Sequence, residues 1–390
     1  MAKPYEHCAT NLNASDIPLA LYVHLPWCER KCPYCDFNSH EQFDSSLETG
    51  YIDALLTDLR QQLVSVGSRP LFSVFLGGGT PSLFSGASIA RLLSGIDQIW
   101  SISPTTEITM EANPGSAEAS RFADYRSAGV NRLSLGIQSF ADAQLAALGR
   151  VHDSAQAMQA IQLAKQHFDR FNLDIMHGLP GQKIETALDD LERAIDHSKG
   201  HVSWYQLTIE PNTTFWSRPP RLPSDDILTD IQDAGEARFH ESGLTQYEVS
   251  AWASPQQMAQ HNLNYWTFGD YIGIGAGAHG KITDMNTHQI FRTLKLKSPN
   301  EYLLSFKKNK KTSRKKMVDS LSFEFMLNGL RLIDGFDSGL YESRTGLSIE
   351  SVRSQIIKAE KLNLLDTRDN WIKPTKSGYS FLNELQEIFL

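Results

Sequence analysis

Three of the four cysteines in this 390-residue chain fall within eight residues, as Cys28-x3-Cys32-x2-Cys35. Thiolates at that spacing can wrap one soft metal centre, but three of them do not complete a tetrahedral zinc site. Cys8, His24 and His40 are the nearest groups that could supply a fourth ligand. An iron–sulfur cube needs no fourth protein ligand, because its remaining iron stays open for an exogenous one. Inert core cysteines are the third reading, and such cysteines seldom bunch this way. The spacing favours the iron–sulfur cube.

Two further groups of residues have the chemistry of a ligand site. Gly77-Gly78-Gly79-Thr80 follows a β-rich run, and glycine lets main-chain amides and carbonyls approach a bound ammonium or carboxylate. By itself a glycine run is equally a tight strand-to-helix turn. Glu111, Gln138 and Asp174 each lie at the end of a β-rich run, so their polar heads gather at one rim. Singly each reads as a solvated strand end or a cap for the next helix. Their recurrence on one face favours a ligand.

The elements that must position these groups alternate. Strands are expected at Leu19–His24, Phe72–Leu76, Glu107–Glu111, Arg132–Ile137, Phe171–Met176 and Val202–Ile209. Helical spacing fills the intervals at Tyr51–Leu63, Ile89–Ile99, Ala117–Ala128, Ala155–Phe168 and Thr186–His197, and continues at Ile227–Ser242. Repeated strand–helix units imply an α/β fold with a parallel sheet, either doubly wound or a (β/α) barrel. In such folds chemistry sits at the carboxyl ends of the strands, where HLPWC, GGGTP, EANPG, GIQSF and DIMHGLPG fall here. Residues 212–224 are Pro-rich and read as an excursion. Residues 307–316 carry seven positive charges and no acid, and read as a solvated linker or as a patch for anionic lipid or an acidic partner.

Composition narrows the class. Lys+Arg 37 against Asp+Glu 45 gives a net charge of −8, which argues against a general polyanion binder, and we expect no nucleic-acid partner. No run approaches the roughly 18 apolar residues of a membrane span. The polar first residues lack the apolar stretch of a secretory signal, and a clustered rather than framework use of cysteine suits a reducing compartment. A cytoplasmic protein is expected.

The cysteine motif, with Tyr34 just before its last member, resembles the radical S-adenosylmethionine superfamily. YVHLPWC, FLGGGTPS, EANPG, GIQSF, GRVHD, DIMHGLPGQ and HNLNYW are further similar to its oxygen-independent coproporphyrinogen III dehydrogenase-like branch, and above all to the haem-chaperone subgroup. The resemblance implies a partial (β/α)6 TIM-type barrel with a smaller C-terminal α+β winged-helix-like domain. It divides the chain into a tail at 1–18, a core barrel at 19–211, a barrel extension at 212–306, a basic linker at 307–317 and the C-terminal domain at 318–390. It further implies that Cys28, Cys32 and Cys35 hold a 4Fe–4S cluster whose open iron takes S-adenosylmethionine. Tyr22, Gly78, Gly79, Thr80, Glu111, Gln138, Arg150 and Asp174 match the positions that contact that cosubstrate, and Thr208 aligns less securely.

Two departures separate the subgroup from the dehydrogenase. The dehydrogenase carries a further cysteine two residues after the third, where this chain has Phe37, and it has a longer N-terminal region than the residues before Leu19. HNLNYW, at 261–266, is the haem-associated motif of the subgroup. His261 then offers an axial imidazole and Tyr265 and Trp266 flat apolar faces, although by composition alone the motif is a packed aromatic turn. His279 in GAGAHG is a second candidate ligand. The resemblance thus implies haem as cargo, delivered to an acceptor protein, with a membrane-bound respiratory protein among the options and peripheral membrane contact as a further expectation. An enzyme converting coproporphyrinogen III through a 5′-deoxyadenosyl radical is the alternative.

Overall fold

The computed structural model describes residues 12–41, 43–67, 69–284, 286–308 and 313–390. Cys8, most of the tail, and Lys310 and Lys311 of the basic run lie outside them. Six strands follow one another in parallel: β1 (Leu19–Leu25), β2 (Leu71–Gly78), β3 (Glu107–Ala112), β4 (Arg132–Gln138), β5 (Arg170–His177) and β6 (His201–Gln206). Then come β7 (Thr245–Glu248), β8 (Ala251–Ala253), β9 (Asp270–Ile274), β10 (His279–Thr283), β11 (Ile290–Lys295) and β12 (Ser313–Met317). All twelve form one sheet in the order β12-β11-β10-β9-β1-β2-β3-β4-β5-β6-β8-β7. The strands β12 and β7 end that order without pairing to each other, so the barrel is open and partial.

The parallel strands alternate, as strands with two different faces must. Leu19, Leu21, Val23 and Leu25 of β1 join the main hydrophobic core with Tyr51, Leu55 and Leu59 of the crossover helix Glu48–Val66. The other face is polar. Asn172 donates to Ser134 and Asp174, while its carboxamide oxygen meets His201 and Ser203. Arg170 pairs with Glu107 at 2.9 Å. The helix Gln260–Trp266 closes this interior against β1 and β2, with its His261 amide donating to Glu107. The crossover read as one helix over 117–128 is two, Ser116–Ala119 and Phe122–Ala128, and Phe122 and Tyr125 of the second are buried.

The buried Asp270 carboxylate fastens the far side of the barrel. It accepts from Arg69 at 2.7 Å, Lys281 at 3.0 Å, and the Thr283 amide and hydroxyl at 2.9 and 3.0 Å. Arg69 also donates to the carbonyls of Ala14 and Ile17, so the segment before β1 is pinned by the same group. After β12, helices Leu321–Gly329, Ser338–Thr345 and Arg353–Lys361 precede a hairpin of Leu365–Arg368 and Trp371–Pro374. Phe336–Asp337 completes a three-stranded sheet. This is the expected winged-helix-like pattern. The basic linker needs correction: Ser313–Met317 pairs antiparallel with β11 as the edge strand of the main sheet. Its outward lysines suit an edge, where charge discourages pairing with other chains. Among the described residues no helix is long and apolar enough to cross a membrane.

Removing Asp270 would strand two buried cations. Breaking a buried ion pair costs about 3–5 kcal/mol, so Asp270→Ala should lower unfolding stability in urea by about that amount. A loss below about 1 kcal/mol would show that the group is not the tie described.

Candidate functional site

The cysteines lie on the loop after β1, and the backbone closes that loop at its base. The Cys28 amide donates to the His40 carbonyl at 2.9 Å and the His40 amide to Pro26 at 2.7 Å. The glycine run of β2 locks the same base: Gly79 donates to Leu25 and Thr80 to Trp27, at 2.9 and 2.7 Å. A Cβ on Gly79 would stand 2.5 Å from the Trp27 carbonyl oxygen, so only glycine fits. Gly78, at φ +116°, faces the His24 ring in the same way. The glycines therefore seat the cysteine loop as well as exposing backbone.

All three thiols are free, half-buried, and line one cavity of about 580 Å³. Burial pushes the Cys28 and Cys35 thiols up, and hydrogen bonds from Thr80 and Ser39 draw Cys28 partly back. A metal would displace those protons on binding. No three His, Cys, Asp or Glu among the described residues are placed to hold a single metal ion. The donor set is soft and three-fold, which fits a cube taking one thiolate at each of three corners.

Gly78, Gly79, Thr80, Glu111, Gln138, Arg150, Asp174 and Thr208 line the same cavity. Arg150 approaches Cys32 Sγ at 3.5 Å and donates to Asn113 and the Gly136 carbonyl at 2.7 and 2.9 Å, while its Nε is buried without a partner. Glu111 accepts from the Gly78 amide at 3.0 Å. Burial pushes its carboxyl up to about 7, against that bond and with help from the charge of Asp174. Asp174 accepts from Ser134 at 2.9 Å and Asn172 at 2.7 Å, and burial raises it despite those bonds. Gln138 stands at φ +70°, after a slip in the β4–β5 register, and its side chain accepts from Tyr205 at 2.8 Å. Non-glycine residues hold that conformation at a cost of order 1–3 kcal/mol where surrounding structure enforces it. Two carboxyl groups and a guanidinium on one cavity wall suit a ligand bearing both an ammonium and a carboxylate.

A second cavity, of about 860 Å³, adjoins the first through Asp36, Phe37, Gly78, Glu111 and Glu210. Tyr22 lines this one, with its hydroxyl 3.0 Å from His24 Nδ1. HNLNYW divides. Tyr265 reaches the second cavity, whereas His261 lines neither. The His261 ring stacks on Phe75 at 4.8 Å, meets Tyr265 edge-on at 4.8 Å and bonds Ser73 through Nδ1 at 2.9 Å. Its Nε2 is buried without a partner, and burial lowers the imidazole to about 3. The Trp266 ring lies under Arg331, at 4.2 Å, against the C-terminal unit. His279 is exposed on the second cavity.

Sequence reasoning missed Asn113, which donates to Thr80 and accepts from Arg150, and Tyr205, which holds Gln138. Asn113 stands in EANPG, next but one after Glu111, so the motif was visible and the bridging role was not.

The sequence matches the Radical SAM superfamily over residues 22–194 and the HemN C-terminal domain over residues 319–381. The heme chaperone HemW of Haemophilus influenzae is 49% identical over 381 residues, covering 96% of this chain and 98% of that protein. That of Escherichia coli is 46% identical over 374 residues, with 96% and 98% covered. Among solved structures, the Escherichia coli coproporphyrinogen III oxidase HemN, a radical SAM enzyme, shares the fold at a TM-score of 0.80 and 21% identity, over 96% of this chain and 90% of that one.

The raised carboxyl of Glu111 gives a pH test. Between its ordinary value of 4.5 and about 7 the folded protein keeps a proton that the unfolded chain releases. Stability therefore falls as pH rises through that window, by up to about 3 kcal/mol in all. Glu111→Gln, which can still accept from Gly78, should gain stability over the native chain at pH 8 and lose that advantage near pH 4. Urea unfolding at both pH values measures it, and a pH-independent difference would refute the assignment.

Proposed function

Because the chain belongs to the HemW branch of the radical SAM superfamily, we propose that it is a haem chaperone, which holds haem in the larger cavity and passes it to an acceptor protein. In this reading Cys28, Cys32 and Cys35 hold a 4Fe–4S cluster, which supplies one-electron chemistry when bound. S-adenosylmethionine occupies the remainder of the smaller cavity. Arg150 offers its guanidinium charge to the carboxylate of that ligand, and Glu111 and Asp174 take its ammonium and hydroxyl groups. Gly78, Gly79 and Thr80 give it backbone, and Gln138, held by Tyr205, fixes an edge. Tyr22, expected against that ligand, lines the larger cavity and not the smaller one.

The observation that carries this reading is the pair of adjoining cavities. One gathers three thiols and a zwitterion's partners; the other is larger, with Tyr22, Tyr265 and Tyr271 on its wall. Flat rings of that kind suit a porphyrin, with polar tips left for its edge. Phe37 stands 58% exposed between the two, where the dehydrogenase branch is expected to carry a further cysteine. The protein would act in the cytoplasm. The exposed edge strand β12 offers the basic surface for peripheral contact with the membrane, where a respiratory acceptor would be met.

Two experiments test this. Anaerobically reconstituted protein should carry about four irons and four sulfides per chain, lost in Cys28→Ala, Cys32→Ala or Cys35→Ala. It should bind about one haem per chain and leave coproporphyrinogen III unconverted, even with a reduced cluster and S-adenosylmethionine. Steady turnover, or no haem binding, overturns the reading. Separately, Asp174→Ala should weaken S-adenosylmethionine binding to cluster-loaded protein by about 1.5–3 kcal/mol in calorimetry, the range for hydrogen bonds to a charged group. Unchanged affinity would remove Asp174 from the site.

A further inference from the structure

We propose that His279, and not His261, supplies the imidazole that takes the iron of haem in the larger cavity, with Lys31 and Lys297 receiving the propionates. This rests on the haem-chaperone reading above and assigns its cargo site. An axial ligand needs a ring nitrogen that is both free and open to the cavity. Three imidazoles line the cavity. His24 has both nitrogens engaged, by the Tyr22 hydroxyl at 3.0 Å and the Asn38 carbonyl at 2.9 Å. His40 has its Nε2 buried, which leaves only Nδ1, and its backbone is tied into the base of the cysteine loop through Pro26 and Cys28. His279 is exposed, and neither of its nitrogens has a hydrogen-bond partner among the described residues.

The backbone beneath His279 is nevertheless rigid. The Gly275 amide donates to Tyr302 at 3.1 Å and the Ala276 amide to Tyr51 at 2.8 Å. Asn38, from the cysteine loop, donates to the Ala276 and Lys297 carbonyls at 3.0 and 2.9 Å. Gly275 and Gly277, at φ +102° and +83°, make the turn that brings β10 to the cavity. A free side chain on a pinned main chain is what a ligand that must bind and release cargo requires.

Charge is divided along the same cavity. The acids Asp36, Glu111 and Glu210 lie on the part shared with the smaller cavity, whereas Lys31 and Lys297 line the larger cavity alone. Both lysines are exposed and neither pairs with a carboxylate among the described residues. The porphyrin's two carboxylates would supply the missing partners.

The test titrates ferric haem into anaerobic, cluster-loaded protein, so that the cysteines are engaged, and reads the iron's axial ligand by electron paramagnetic resonance and resonance Raman. His279→Ala should abolish the imidazole signature and weaken binding at least tenfold, with added imidazole restoring the signature. His261→Asn should leave the signature in place. Lys297→Glu should weaken haem but not its dimethyl ester. Cluster content of each variant reports folding. Loss of the signature in His261→Asn with its retention in His279→Ala, or retention in both, overturns the proposal while the chaperone reading stands. Failure of the native chain to bind haem removes that reading itself, and the proposal with it.

Discussion

A polar interior inside a mostly apolar fold is the constraint on which this structure depends. The outward faces of the parallel strands bury Leu, Val and Ile against helices, which leaves the inward faces as the place for most of these strands' charged or hydrogen-bonding residues. Once inside, those groups must find one another, because a buried polar group without a partner costs about 1–3 kcal/mol. Arg170 with Glu107, Asn172 with His201 and Ser134, and Ser73 with His261 are such pairs in the lower part. Toward the carboxyl ends the accounts do not close. Arg150 keeps an unpartnered Nε, and Glu111 and Asp174 are held as raised carboxyls. Orphaned atoms also persist deeper, at His261 Nε2 and Thr109 Oγ1, so what sets the carboxyl ends apart is the meeting of raised carboxyls and three free thiols on one cavity.

That cavity shares only a few residues with the larger one. Gly78 and Glu111 touch both cavities, and the bond between them joins β2 to β3 at their common wall. Asn38 makes the second link, since it reaches from the cysteine loop to the strand connection that carries His279. The cysteine loop and the floor of the larger cavity are therefore parts of one hydrogen-bonded unit. Coupling between two sites needs only a shared rigid element that both occupants bias.

Much of this was legible in the sequence. All six parallel strands and the cysteine loop followed from alternation and from turn residues, because a two-faced strand and a glycine-rich carboxyl end leave local marks. The convergence of Glu111, Gln138 and Asp174 on one rim followed from the same topology. Pairings made at long range left no such marks. The lysines after Lys307 read as a solvated linker because their composition is that of one; only pairing with β11 makes Ser313–Met317 a strand. Asn113 and Tyr205 act through contacts 37 and 67 residues away in the chain, which no local pattern encodes.

HNLNYW shows where a motif stops being evidence for a contact. Histidine, tyrosine and tryptophan are suited equally to a haem pocket and to a packed aromatic turn, and here the three do different things. The helix Gln260–Trp266 is one turn of face against β1 and β2, so residues four apart point the same way. His261 and Tyr265 therefore both look inward, His261 deeper among Ser73 and Phe75, and Tyr265 higher, beside Tyr271 at the cavity wall. Trp266 turns away and stacks under Arg331. The motif is a plug that shapes the cavity from below and ties it to the C-terminal unit, while the open imidazole on the cavity comes from a different strand.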